Sequence, residues 1–210
     1  IISDKMISYG SSGTIYLTIK NKLKKYVTKT PVTKKEIEIS KKLSGTIGPK
    51  IYDNYECQSF KDTINITHNK EILRKKGHFL VMKKLEGMTL EDYFKETSFI
   101  EDDDPLIQKI ISIIQKIHNL GFLHNDLGLT NIFLVMDKNK KKIKDIKLID
   151  FGETKKITES TKYIDYENLI DSINNFNPNL SDVYQPLFIA LEENIDKYKK
   201  FISEDEYISY

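Results

Sequence analysis

Two acids and an amide carry the chemistry that this sequence can do. They lie in His124-Asn125-Asp126-Leu127-Gly128-Leu129-Thr130-Asn131, which runs into the apolar stretch Ile132 to Val135, and in Leu148-Ile149-Asp150-Phe151-Gly152. A carboxylate such as Asp126 can accept the proton of an attacking hydroxyl. Asn131, five residues on, and Asp150, at the end of the next strand pattern, offer hard oxygen ligands for magnesium on a nucleotide. Asn and Asp are also ordinary turn residues, so either half alone reads equally well as a polar loop between buried strands. Both halves in this order, each joined to an apolar strand, favour the chemistry.

The elements that must position these groups begin at the N-terminus, where residues 1–30 read as three strands. Ser3 to Tyr9 leads into Gly10-Ser11-Ser12-Gly13, Thr14 to Lys20 alternates with Ile15, Leu17 and Ile19 on one side, and Leu23 to Lys29 follows a turn at Asn21-Lys22. A glycine-bearing hairpin can lay backbone N–H groups over phosphates, although an ordinary hairpin turn has the same composition. Residues 33–44 read as a short helix closed by Gly45, with Val32, Glu36, Ile39 and Leu43 on one face. Glu36 on that apolar stripe calls for a buried cation, and Lys29 is the candidate. Thr33-x-x-Glu36 is equally a capping box, and Glu38 is an alternative partner. Phe79 to Gly87 runs from a buried strand into a linker, and Thr89 to Lys95 reads as a short helix. Asp104 and Pro105 suit the N-cap and N1 positions of a helix to about residue 119, apolar on most sides, which forms the core of the larger part of the chain.

These stretches resemble the eukaryotic-like protein kinase superfamily over most of the chain. The eight residues from His124 to Asn131 look like the catalytic loop H-R-D-L-x-x-x-N, and Asp150-Phe151-Gly152 is an intact D-F-G. Ser8-Tyr9-Gly10-Ser11-Ser12-Gly13-Thr14-Ile15 resembles the glycine-rich loop, with Ser8 in place of the first glycine. The resemblance implies a two-lobed α+β fold: an N-lobe, 1–87, with a small antiparallel sheet and one helix, and a mainly helical, truncated C-lobe, 88–210. It implies ATP and Mg²⁺ bound in the cleft, with Ser8, Gly10, Gly13 and Ile15 covering the nucleotide. Lys29 then positions phosphates in a pair with Glu36, although Lys20 is a rival that falls too soon for two strands to intervene. Met82 becomes the gatekeeper, and the backbone of Lys83 and Leu85 faces adenine. Asp126 is the catalytic base, Asn131 and Asp150 hold metal, His124 orients the loop, and Asp165 matches the helix aspartate that braces it.

Departures from the pattern narrow the subclass. Asn125 replaces the Arg that in many kinases pairs with a phosphorylated activation loop, and Gly128 stands where Ser/Thr kinases usually carry a phosphate-contacting Lys. Only residues 153–210 follow the D-F-G, with no A-P-E motif, which points to a compact atypical member without a full activation segment. The size and tail length are similar to those of the small kinase of the KEOPS complex, whose basic C-terminal tail is absent here. Tyr163 to Ile173 and one or two segments within 181–203 read as helices, and Glu204 to Tyr210 as a frayed end. The expected reaction is γ-phosphoryl transfer to a Ser/Thr hydroxyl of a protein. A small-molecule kinase of aminoglycoside or choline type, and a nucleotide-binding or ATPase subunit completed by a partner protein, are the alternatives.

Composition excludes several other classes. Apolar residues at 39% and charged residues at 30% suit a globular chain rather than a disordered one. The net charge of +2 points to neither nucleic acid nor a membrane, and the single Cys57 excludes an intrachain disulfide. No apolar run has spanning length and no signal peptide opens the chain, so a cytoplasmic or nuclear location is expected. The first residue is Ile1 and not Met, which leaves room for a preceding segment.

Overall fold

A computed structural model describes residues 2–10, 13–20, 23–57, 64–68, 71–75, 77–97, 105–137, 139, 142–176 and 184–208, with side chains for residues 7, 13–17, 26–56, 77–97, 105–137, 139, 142–176 and 184–200. The chain divides into two compact units, Ile1–Leu85 with Asp150–Gly152, and Glu86–Ile149 with Glu153–Tyr210.

In the first unit, whose expected turn residues Ser11, Ser12, Asn21 and Lys22 lie outside the described residues, the strands fall where the sequence predicts. They are β1 (Ile2–Gly10), β2 (Gly13–Lys20) and β3 (Leu23–Val32), followed by helix α1 (Lys34–Lys42), β4 (Ile51–Cys57), the hairpin β5 (Ile64–His68) and β6 (Glu71–Lys75), and β7 (Gly77–Lys83). β1, β2, β3, β7 and β4 form one sheet in that order, antiparallel throughout, so β3 with Lys29 is its central strand. The register sets Lys29 between Ile15 of β2 and Leu80 of β7. Val27, Val32, Ile37, Leu80 and Met82 pack as a core, with Ile15 and Ile51 against it. Burying each such side chain contributes roughly 1.5–3 kcal/mol, which anchors the strand that presents Lys29.

α1 shows the predicted stripe, with Val32, Glu36, Ile39 and Leu43 all buried. Thr33 is its N-cap, and Gly45 just beyond its end takes a left-handed φ of 79°.

The second unit contains β8 (Gly87–Thr89), α2 (Leu90–Glu96), α3 (Pro105–Asn119), β9 (Phe122–Leu123), β10 (Ile132–Met136), β11 (Ile143–Leu148), β12 (Lys155–Lys156), α4 (Ile164–Phe176) and α5 (Gln185–Ile208). β10 lies between β11 and β8, both antiparallel to it, and β12 pairs with β9. α3 starts at Pro105 as expected and buries Leu106, Ile107, Ile110, Ile111, Ile113, Ile114, Ile117 and His118. Asp104, the expected N-cap, lies outside the described residues. α4 buries Asp165, Tyr166, Leu169 and Ile173 at helical spacing, and α5 buries Leu187, Leu191 and Ile195.

The C-terminal segment, expected as one or two helices, differs from expectation only at its end. It is one helix that continues to Ile208, through most of the stretch expected to fray. Its approach is fixed by Tyr184, which is fully buried, stacks on Phe94 with centroids 3.9 Å apart, and donates its hydroxyl to the Phe94 carbonyl at 3.0 Å. Among the described residues, no helix is long and apolar enough to cross a membrane.

Candidate active site

In the first unit, β3 and α1 bring Lys29 and Glu36 together, and Asp150 joins them. Lys29 Nζ lies 2.6 Å from Glu36 Oε1 and 2.7 Å from Asp150 Oδ1. Lys29 and Glu36 are 5% and 4% exposed, so their charges have little water to fall back on. Burial pushes the Glu36 carboxyl above its ordinary value, and the Lys29 charge opposes that shift. Glu36 serves both sequence readings at once, and its carboxylate answers to the Thr33 backbone N–H as well as to Lys29. Its backbone N–H donates to the Thr33 hydroxyl at 3.0 Å, while its carboxylate reaches Lys29. Glu38, the alternative partner, is exposed.

Asp150 takes φ 63°, a left-handed conformation uncommon for a non-glycine residue, and its side chain is 25% exposed. Phe151, next to it, is buried. The carboxylate is thus partly open although one of its oxygens holds Lys29.

The glycine hairpin is paired through Gly10 and Gly13, whereas Ser11, Ser12 and the Ser8 side chain lie outside the described residues. Gly13 has φ 128°, and a Cβ there would sit 3.0 Å from the Pro31 carbonyl oxygen and 3.4 Å from Lys29 Cε. Glycine is therefore favoured by conformation and by the close approach of the Pro31 carbonyl, while the lysine stem lies at ordinary contact distance. Ile15 packs against the core beside Lys29. Met82 is buried in that core, while Lys83 donates its N–H to the Lys50 carbonyl at 2.8 Å. Leu85 is half-buried. The side chain of Lys20 lies outside the described residues.

The second unit carries Asp126 and Asn131. Asp126 is exposed, and Asn131 Nδ2 donates to its backbone carbonyl at 2.8 Å and to its carboxylate at 3.2 Å. The segment is held from below by Asp165, which is fully buried on α4. Asp165 Oδ2 accepts the N–H of His124 at 2.9 Å, and Oδ1 accepts the N–H of Asn125 at 2.8 Å. Asn125 has φ 65°, so these two amides bend around one carboxylate. His118 Nε2 donates to Oδ2 at 2.8 Å, a contact that sequence reasoning missed. His118 falls on the apolar face of an Ile-rich helix, and only its place there, a polar residue among isoleucines, could have signalled a partner. His124 is fully buried, and its Nε2 donates to the Ile149 carbonyl at 3.0 Å. Ile149 in turn donates its N–H to the Asn131 carbonyl at 3.0 Å, fixing the far end of the segment.

Thr154 is fully buried and donates to the His124 carbonyl, whereas Thr158 and Ser160 are exposed and Thr161 half-buried. Thr154 is part of the packing and not an exposed hydroxyl.

A protein kinase domain family model matches residues 2–178, from β1 through the end of α4. The chain belongs to the protein kinase family. Individual kinases are similar over shorter stretches. A probable serine/threonine-protein kinase of Dictyostelium discoideum is 30% identical over 156 residues, 72% of this chain and 31% of that protein. The probable serine/threonine-protein kinase fnkE of the same organism is 34% identical over 42% of this chain and 7% of its own length. The hormonally up-regulated neu tumor-associated kinase of Homo sapiens is 34% identical over 42% of this chain and 12% of its own. This kinase chain therefore matches less than a third of the length of each of these relatives.

Proposed function

We propose that the chain transfers the γ-phosphoryl group of ATP, with magnesium, to a Ser/Thr hydroxyl of a protein. The observation that carries this reading is the buried Lys29 held between Glu36 and Asp150, because it presents one fixed cation to phosphate oxygens beside a partly open carboxylate. Lys29 holds phosphates, Gly10 and Gly13 let the backbone approach them, and Ser8 and Ile15 flank that approach. The Lys83 carbonyl and the Leu85 backbone take adenine, with Met82 behind. Asp126 accepts the proton of the acceptor hydroxyl as its oxygen bonds to phosphorus and the bond to the ADP oxygen breaks.

Each proposed ligand residue, taken by itself, carries an oxygen that suits magnesium. Asp150 offers a carboxylate, and Asn131 directs its amide nitrogen to Asp126, leaving its oxygen as the ligand atom. A metal with one or two protein oxygens and the remainder from phosphate and water is what magnesium accepts. When bound, it neutralises charge on the phosphate oxygens.

The serine/threonine assignment is supported by similarity to two Dictyostelium discoideum proteins named as probable serine/threonine-protein kinases. The test is transfer of label from γ-labelled ATP by the purified chain to a mixture of unfolded proteins, aminoglycosides and choline. Phosphoserine and phosphothreonine in the protein fraction are expected. Label only on a small molecule, or ADP release without any labelled acceptor, would contradict the protein-kinase reading.

A further inference from the structure

Residue 128 is glycine although its backbone does not demand one. Its φ of −125° and ψ of 174° are extended values that any residue adopts. What a side chain would meet is Ser172 of α4: a Cβ at 128 would lie 3.0 Å from Ser172 Oγ and 3.4 Å from Ser172 Cβ. The same Oγ accepts the N–H of Leu129 at 3.0 Å. Leu129 is 1% exposed and opens the 3-10 turn Leu129–Asn131, where the first N–H groups have no partner inside the turn. Without Ser172 that donor would be buried and unsatisfied.

Ser172 stands seven residues after Asp165, about two helical turns along the same face of α4. Asp165 holds the amides of His124 and Asn125, and Ser172 holds the amide of Leu129. Asp126 lies between these two attachments. One rigid helix thus fixes the loop on both sides of the carboxylate. A helical serine commonly turns its hydroxyl back to its own helix backbone, and here it points to the loop instead.

We propose that Ser172 is a positioning residue for phosphoryl transfer, holding the Asp126 loop from its C-terminal side, and that position 128 is glycine to admit it. This rests on the reading of Asp126 as the base. It also accounts for the absence of a side chain at 128 by a contact that the bare backbone makes possible.

The test uses Ser172→Ala, Gly128→Ala and the double variant in the full chain. It reads turnover, nucleotide affinity and hydrogen exchange of the Leu129 amide. Each single variant should lower kcat about tenfold, the effect of one orphaned buried donor, and speed Leu129 exchange by a similar factor. Nucleotide affinity should stay within about twofold, since the loss is confined to the chemical step. The double variant should be no worse than either single one, because both break the same contact. Multiplied losses in the double variant, or unchanged Leu129 exchange in Ser172→Ala, would overturn the proposal. Exchange does not depend on turnover, so it decides the Ser172 contact even if Asp126 proves not to be the base. Should Gly128→Ala fail to fold, Ser172→Ala alone still gives that readout.

Discussion

Lys29 Nζ and Asp150 Oδ1 lie 2.7 Å apart across 121 residues of sequence, and Glu36 holds the same ammonium at 2.6 Å. One cation therefore serves two carboxylates, one of them almost fully buried. Removing the cation leaves Glu36 without compensation. Lys29→Met should destabilise the fold by about 3 kcal/mol at neutral pH, the usual cost of stranding a buried charge, and should abolish turnover. Urea unfolding and a turnover assay check both; unchanged stability would show that Glu36 does not depend on Lys29.

The pH dependence follows from the same pair. Glu36 is raised above 4.5 in the folded chain, chiefly by burial, with Lys29 opposing. A carboxyl raised by folding binds more protons when folded than when unfolded, so stability falls as pH rises from 4.5 through the folded value. Lys29→Met removes the opposing charge, so the fall should deepen and extend to higher pH. Glu36→Gln should flatten it. Unfolding free energies measured from pH 4.5 up to about 8 distinguish the three curves.

Gly87 meets the tightest obstruction among the described glycines. It has φ 149°, and a Cβ there would lie 1.9 Å from the Leu134 carbonyl oxygen across the β8–β10 pairing. Gly121 also has a positive φ, 83°, but nothing lies within 4 Å of its Cβ position. Gly121→Ala should cost about 1 kcal/mol for the backbone alone, and Gly87→Ala several times that. Equal shifts in thermal unfolding would mean that the β8–β10 contact is not as tight as the geometry has it.

The hydroxyls after Gly152 should not switch the enzyme. Asn125 offers no guanidinium to a phosphothreonine, and Thr158 and Thr161 already hydrogen-bond each other at 2.9 Å. Replacing Thr158, Ser160 and Thr161 together by alanine should leave turnover within about twofold and cost about 1 kcal/mol of capping. Thr154 is left out of that set because its hydroxyl is buried. Phosphatase treatment should likewise have no effect on turnover. A large loss with nucleotide binding intact would identify this stretch as a working activation loop.

Sequence reasoning reached local features and missed the contacts that close over distance. The strand and helix order, the buried stripe of α1 and the start of α3 at Pro105 follow from periodicity and capping, which act over a few residues. Glu36 is ambiguous in sequence because capping and ion pairing predict the same residue; in the fold it does both, and the path of β3 supplies the cation. His118 and Ser172 were missed because each is a single polar residue on an otherwise packed helix face, and its partner, Asp165 or Leu129, lies 47 or 43 residues away. Tyr184 escaped for the same reason: its acceptor carbonyl at Phe94 is 90 residues earlier. Gly128 was visible as a missing lysine, but its reason lies on α4.

The most direct test of the central claim separates chemistry from binding at Asp126. Titrate the wild-type chain, Asp126→Asn and Asp150→Ala with ATP and magnesium, and measure turnover on the same preparations. Asp126→Asn should bind nucleotide with affinity within about twofold of wild type while turnover falls about 10²- to 10⁴-fold, as for loss of a general base. Asp150→Ala should lose the magnesium-dependent part of binding. Wild-type turnover in Asp126→Asn, or equal loss of nucleotide affinity in both variants, would contradict the assignment of base and metal ligand to these two residues.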